Sequence, residues 1–246
     1  MSRTVCWFSC GAASAVATKL TLATEPAAEV VYTDPGSEHP DNERFLADCE
    51  TWFGKTVTVL RSSVYADTWD VWRRRGVIRL HHGGSPCTGE MKRALRFEFQ
   101  RPTDIQVFGF TEEERDRADR LREQNFELDM RFPLIEAGLS KADTLAMVER
   151  AGIEMPAMYR LGYSNNNCIG CPKGGMGYWN KIRRDFPDVF DRMAALEREV
   201  GSSIFNEGGR PLFLDELATD RGRHDEPTPE CSLLCHLAEL NLESAE

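Results

Sequence analysis

The sequence contains no run of about 18 consecutive apolar residues, which excludes an ordinary membrane-spanning helix. It also lacks an apolar segment behind a basic amino terminus, the pattern shared by secretory leaders, so the expectation is a cytoplasmic protein. No stretch recurs at a fixed period, which sets aside solenoids and propellers. Positive charge is in short supply: 30 lysines and arginines face 40 aspartates and glutamates, a formal net charge of −10. A stand-alone nucleic-acid binder needs a surplus of basic side chains against phosphate, so the composition argues against one while leaving room for a local basic patch.

Cysteine, by contrast, is plentiful, with 8 residues. In a reducing compartment such cysteines serve more often as metal ligands or reactive groups than as crosslinks. With 246 residues the chain can bury a core without disulfides, as one large α/β domain or as such a domain with a C-terminal appendage.

Strand and helix signals alternate along the first half. Residues 4–9, 29–33 and 56–60 read as buried strands, and 104–110, DIQVFGF, suits an internal parallel strand. Between them lie helical patterns at 12–24, 41–53, 64–75 and 88–99, the second with Phe45, Cys49 and Trp52 at helical spacing. This alternation predicts a doubly wound parallel sheet over residues 1–132, a nucleotide-binding α/β core. Ligands of such sheets sit beyond the carboxyl ends of the strands, where Ser9, Asp34 and Gly109 fall. After residue 132 the pattern turns helical and loop-rich. Residues 133–246 read as an extension with a helix at 141–153, a loop at 160–178, a helical hairpin near 186–201 and a polar linker at 219–230.

Residues 7–20, WFSCGAASAVATKL, pass from strand to helix within four small residues. Such a turn bares the backbone of Ser9, Cys10, Gly11 and Ala12 at the positive end of a helix dipole, a ready seat for phosphate. The same turn can also serve packing alone, and the sequence by itself does not separate the two.

Cys168 and Cys171 have the Cys-x-x-Cys spacing that turns two thiolates toward one metal or cluster. Cys87 lies in another glycine-rich turn before a helix, and Cys231 and Cys235 stand four residues apart near the C-terminus. Convergence of these three regions would supply four thiolates, enough for an iron–sulfur cluster or a structural zinc; otherwise they are unrelated free thiols. Cys6 and Cys49 occupy apolar strand and helix positions and read as core.

Taken together the motifs resemble the phosphoadenosine phosphosulfate reductase and PP-loop ATP pyrophosphatase superfamily, which has the adenine nucleotide alpha hydrolase-like fold. The opening loop is similar to the family's Ser-Gly-Gly-x-Asp-Ser at Ser9, Gly11 and Ser14, and YTDPGSEHPDNERF matches the segment after the second strand at Asp34, Gly36 and Pro40. SPCTGEMKRALRF resembles the cysteine and Lys/Arg segment, and GFTEEERDRA the glycine and Arg-Ala segment after the fourth strand. The likeness runs over roughly residues 4–185 and ends in the Cys168/Cys171 pair. It departs at Cys10, where the family has a glycine, at Ala13, where pyrophosphatase members carry the acidic residue that places magnesium, and at Cys87, a single cysteine in place of an adjacent pair.

The resemblance implies ATP or phosphoadenosine phosphosulfate bound by Ser9, Cys10, Gly11, Ala12, Ser14, Asp34, Gly109 and Arg117, with magnesium as an optional companion. Lys92 and Arg93 are the expected catalytic cations. A [4Fe–4S] cluster, with zinc as the alternative, is expected on Cys87, Cys168, Cys171 and Cys235, leaving Cys231 as the sulfur-handling thiol because Glu230-Cys231 is similar to the reductases' Glu-Cys-Gly tail. Two reactions fit. In one, ATP adenylates a nucleic-acid oxygen and sulfur from a cysteine desulfurase or another donor replaces it, as in DNA phosphorothioation or base thiolation. In the other, a thiolate attacks phosphoadenosine phosphosulfate and sulfite is released. The expected partners are the adenine nucleotide, the sulfur donor and a protein that supplies much of the nucleic-acid grip, with homodimerisation left open. Ala13 also keeps in view a non-enzymatic nucleotide or redox sensor.

Overall fold

The computed structural model describes residues 2–80 and 84–223. Five strands, β1 (Thr4–Phe8), β2 (Glu29–Thr33), β3 (Thr58–Leu60), β4 (Ile105–Val107) and β5 (Asp129–Arg131), form one parallel sheet in the order β3-β2-β1-β4-β5. All five residues of β1 are buried, as a strand covered on both faces must be. Its side chains alternate between two cores. Cys6 and Phe8 pack with α1 (Ala12–Thr24) and α2 (Asn42–Phe53), whereas Val5 and Trp7 face the opposite layer.

The connection from β3 to β4 crosses the sheet through α3 (Thr68–Arg75) and a continuous helical run. That run consists of α4 (Pro86–Thr88), a π-helical turn at Gly89–Arg93 and α5 (Ala94–Phe99). The second face is completed by α6 (Arg115–Gln124), whose Ala118 and Leu121 pack beside Phe108 and Phe132. Helices on both faces of a parallel sheet make this a doubly wound α/β arrangement.

Strand β5 was not legible in advance. Only Met130 of its three residues is fully buried, so it carries no apolar run. The predicted long second core segment at 104–110 is paired only over Ile105–Val107, because Gly109 and Phe110 already belong to the connection that caps the sheet.

Packing crosses residue 132 in both directions. Leu134 of α7 (Pro133–Glu136) and Val148 of α8 (Lys141–Arg150) join the α1 core, while α3 joins a separate cluster with α10 (Met176–Asp185) and α11 (Pro187–Val200). That second cluster is built on Trp72, Trp179, Ile182 and Met193, all essentially inaccessible to solvent. The short α9 (Ala157–Arg160) joins the two, with Met158 in the second cluster and Tyr159 against the first. No helix among the described residues is long and apolar enough to cross a membrane.

A small antiparallel hairpin, β6 (Phe205–Glu207) and β7 (Arg210–Leu212), is pinned to α11 by a buried carboxylate. Glu197 accepts hydrogen bonds from the Ile204 and Leu214 amides, each at 2.6 Å. Burial pushes this carboxyl up to about 7 from an ordinary 4.5, against the pull of the two amides. The folded state therefore keeps a proton that the unfolded chain releases between those values. Stability falls as pH rises from about 4.5 to about 7 and levels off above, since the unfolded state binds fewer protons in that window. Thermal melting between pH 4.5 and 8 is expected to show this contribution in the native protein and to lose it in Glu197→Gln. Identical pH profiles for the two would contradict the assignment.

Candidate functional site

The strand order reverses direction between β1 and β4, so the chains leaving these two neighbours diverge to opposite faces and open a crevice at their carboxyl ends. A cleft with about 910 Å³ of empty space, part of it open to solvent, lies there. Ser9, Gly11, Ala12 and Ser14 line it from the β1–α1 turn, Lys92 from the π-helical turn and Gly109 from the end of β4.

The turn has a built conformation. Cys10 adopts φ 53°, the single left-handed non-glycine backbone among the described residues. A glycine takes this geometry freely, whereas an L side chain resists it by roughly 1 kcal/mol or more, so it persists only where surrounding contacts hold it. The Cys10 carbonyl accepts a 2.7 Å hydrogen bond from Asn166 Nδ2, and its side chain is fully buried. Burial, reinforced by the nearby Glu38 charge, pushes its thiol well above the ordinary range, so Cys10 is a structural thiol rather than a nucleophile.

Ser14 closes the turn from inside. Its hydroxyl accepts from the Ser9 amide at 3.0 Å and donates to the Gly11 carbonyl at 3.0 Å, with Ser9 Oγ 3.1 Å away. Ser14 thus shapes the loop while also lining the cleft. Gly109 is also a packing residue. A Cβ there would lie 2.6 Å from Ser14 Cα and 2.7 Å from its nitrogen, so only glycine lets β4 approach the first turn of α1 this closely.

Behind the turn runs a chain of buried polar groups. Glu38 accepts from the Tyr32 hydroxyl and from Asn42 Nδ2, both at 2.7 Å, and lies 3.5 Å from Lys92 Nζ. Asn42 Oδ1 accepts from Asn166 Nδ2 at 2.7 Å. Burial raises the Glu38 carboxyl, and Lys92 is the largest influence that lowers it again. Lys92 is thereby held at the cleft wall by a carboxylate underneath it.

The other predicted nucleotide residues stand outside the lining. Asp34 pairs with Arg61 at 2.9 Å and caps the Gly36 amide at 2.8 Å. Arg117 pairs with Glu114, itself a lining residue, and stacks 5.0 Å from the Phe110 ring. Arg93 lies over Phe97, away from the cleft. The sequence reading passed over Lys141, Tyr159 and the run Asn165 to Asn167, all of which line the cleft. The unusual Asn-Asn-Asn run just before Cys168 was the available signal.

The cysteine loop docks onto this site. Tyr178 of α10 holds it from within, its hydroxyl accepting from the Gly170 amide at 3.1 Å and the Cys171 amide at 3.0 Å. From outside, the Ile169 amide donates to the Ser37 carbonyl at 3.0 Å, while Asn166 grips Cys10. The loop is therefore fastened to the connections that follow both β1 and β2. Cys168 and Cys171 are buried, and Cys87 shares an apolar cluster with Cys171, its sulfur 3.3 Å from Ser85 Oγ. The half-buried Arg79 guanidinium is close enough to Cys171 to interact with it electrostatically. Among the described residues no three of histidine, cysteine, aspartate and glutamate form a metal cage. Cys231 and Cys235 lie outside the described residues.

The described chain nevertheless finishes beside the cysteine loop. Asn180 Nδ2 donates to the Ala218 and Arg221 carbonyls at 2.9 and 2.7 Å, and Arg183 holds the Leu214 and Leu217 carbonyls. Gly177 and Gly222 let the two backbones touch, since a Cβ on Gly177 would lie 1.9 Å from the Arg223 oxygen. Arg223 is thus delivered to the first turn of α10, shortly after Cys171.

No protein-family model matches the sequence, and no curated protein matches it. The site is accordingly argued from its own geometry.

That geometry separates the two glycines. Gly109→Ala should lower the melting temperature by several degrees, because forcing a methyl against the α1 backbone costs about 1–3 kcal/mol. Gly11→Ala should leave it unchanged, as a Cβ there meets only side-chain oxygens at ordinary contact, the Tyr159 hydroxyl at 3.4 Å and Ser9 Oγ at 3.9 Å. Scanning calorimetry of both variants checks this, and equal melting temperatures would contradict it.

Proposed function

We propose that the cleft binds an adenine nucleotide with its phosphates on the amides of the β1–α1 turn, and that the adjoining cysteines carry sulfur in an ATP-dependent sulfur transfer. The observation that carries this reading is the double fastening of the cysteine loop, through Asn166 to Cys10 and through Ile169 to Ser37, which makes the thiols neighbours of the phosphate turn.

In the proposed reaction an acceptor oxygen attacks the α-phosphorus of ATP, pyrophosphate leaves, and a hydrosulfide-type sulfur then displaces AMP from the activated centre. Fixed cations favour an anionic leaving group, and Lys92, seated on Glu38, is the cation of the cleft wall best placed to meet it. Arg117 acts one shell further out through Glu114. Cys87, Cys168 and Cys171, with Cys235 as the fourth thiolate, would hold a [4Fe–4S] cluster whose irons are then all ligated, so that sulfur would be carried by Cys231 rather than by the cluster. The buried sulfurs of Cys87, Cys168 and Cys171, the last within electrostatic reach of the Arg79 cation, suit such an anionic group. The acidic net charge implies a partner that supplies much of the nucleic-acid grip, and the proposed reaction takes its sulfur from a cysteine desulfurase or another donor.

The test is product analysis with anaerobically purified full-length protein. ATP with acceptor nucleic acid and a sulfide donor should yield pyrophosphate, and Lys92→Ala should reduce its release at least about tenfold. Sulfite from phosphoadenosine phosphosulfate without pyrophosphate from ATP would establish the reductase reaction instead, and neither product despite nucleotide binding would leave a sensor.

A further inference from the structure

We propose that the outer face of residues 93–101 binds single-stranded nucleic acid, with Phe97 as a stacking platform and Arg93 and Arg101 as phosphate contacts; this rests on the nucleic-acid acceptor of the reading above and gives the chain its own share of that grip. Residues 73–101 hold eight lysines and arginines against two glutamates, Glu90 and Glu98, in a chain whose net charge is −10. Part of this charge is matched locally. The last turn of α3 meets the π-helical turn through the ion pair of Arg75 with Glu90, and Arg73 and Arg74 are paired with Glu199 and Asp70. The rest is gathered on one helix face, where Arg93, Ala94, Phe97, Glu98 and Arg101 recur at helical spacing, Arg93 half-buried and the other four exposed.

Phe97 is 48% exposed, and its ring centre lies 5.0 Å from the Arg96 guanidinium and 6.0 Å from that of Arg93. All three Arg96 nitrogens and Arg93 Nη1 are without a hydrogen-bond partner among the described residues. Burial, reinforced by the neighbouring Arg93 charge, lowers Arg96 to about 10, so it stays a cation at neutral pH. Arg96 is buried too deeply to touch a ligand, but its field needs no contact, since a charge in a low-dielectric interior acts across several ångströms. Asp104, the carboxylate near Arg101, is already held by Arg3 at 2.6 Å. An exposed phenyl alone is ordinary. Set among cations it selects a partner, because a cationic face attracts a polyanion and an open ring offers its bases a surface to stack on. Bases in a duplex are already stacked inside it, so a phenyl on a convex helix reaches only an unpaired base. Lys92 of the cleft wall lies about 7 Å along the helix axis from Phe97, so a strand seated on the ring runs within a few nucleotides of the cleft.

Fluorescence anisotropy of the full-length protein with a labelled oligothymidylate, in the absence of ATP, tests this. The native protein is expected to bind the strand, and more weakly as salt rises. Phe97→Ala should weaken binding at least about tenfold while keeping the salt dependence, and Phe97→Trp should retain it. Arg93→Ala should reduce the slope of log affinity against log salt by about 0.7. Circular dichroism of each variant checks that it is folded, and the half-exposed Phe97 position keeps the test open if Arg93→Ala does not fold. No binding by the native protein at low salt, preference for a duplex, or binding unaffected by Phe97→Ala would overturn the inference. Self-association lost in Phe97→Ala, without oligonucleotide binding, would also overturn it and make this face a protein contact. Because no ATP is present, the result stands apart from the proposed chemistry: a strand bound through Phe97 by a protein that releases no pyrophosphate would uphold this face and overturn the sulfur-transfer reading.

Discussion

A single buried carboxylate holds the candidate site together. Glu38, on the connection after β2, gathers Tyr32 from β2, Asn42 from α2 and Lys92 from the π-helical turn. Through Asn42 it also orients Asn166, which holds Cys10 in its left-handed conformation. Four segments far apart in sequence thus meet at one ionisable group. Partial satisfaction of such a network is worse than an apolar core, since each buried polar group without a partner costs about 1–3 kcal/mol. The arrangement consequently behaves as a unit, and its members cannot be exchanged singly.

That unit explains one departure from the pattern that the sequence resembles. Cysteine can stand where a glycine is expected because the strain at Cys10 is offset by the Asn166 hydrogen bond and by full burial of the side chain. Ser14 satisfies the Ser9 amide and the Gly11 carbonyl, so the turn is shaped from within by its own side chain. Such preorganisation leaves the amides at the start of α1 as the groups open to an anion.

Much of the fold was legible in the sequence because its signals are local. The apolar run of β1, the helical spacing of Phe45 and Cys49 and the small-residue turn between β1 and α1 each depend on residues close in the chain, and Cys6 and Cys49 lie in the core as expected. The site was legible only where it shares that locality, at Ser9, Gly11, Ala12, Ser14, Lys92 and Gly109. Asn166 and Tyr159 reach the cleft through tertiary packing that no periodicity announces. Asp34, Arg93 and Arg117 failed to reach the lining for the complementary reason: their nearest charged or aromatic neighbours, Arg61, Phe97 and Glu114, capture them first.

The central claim is that the phosphate turn and the cysteine loop form one site. Hydrogen exchange of backbone amides with and without saturating ATP tests it directly, because the Ile169 amide is itself one of the fastenings. The account predicts that ATP slows exchange across residues 9–14 and across residues 166–171 together. Protection confined to residues 9–14, with the cysteine loop exchanging as in the free protein, would contradict it.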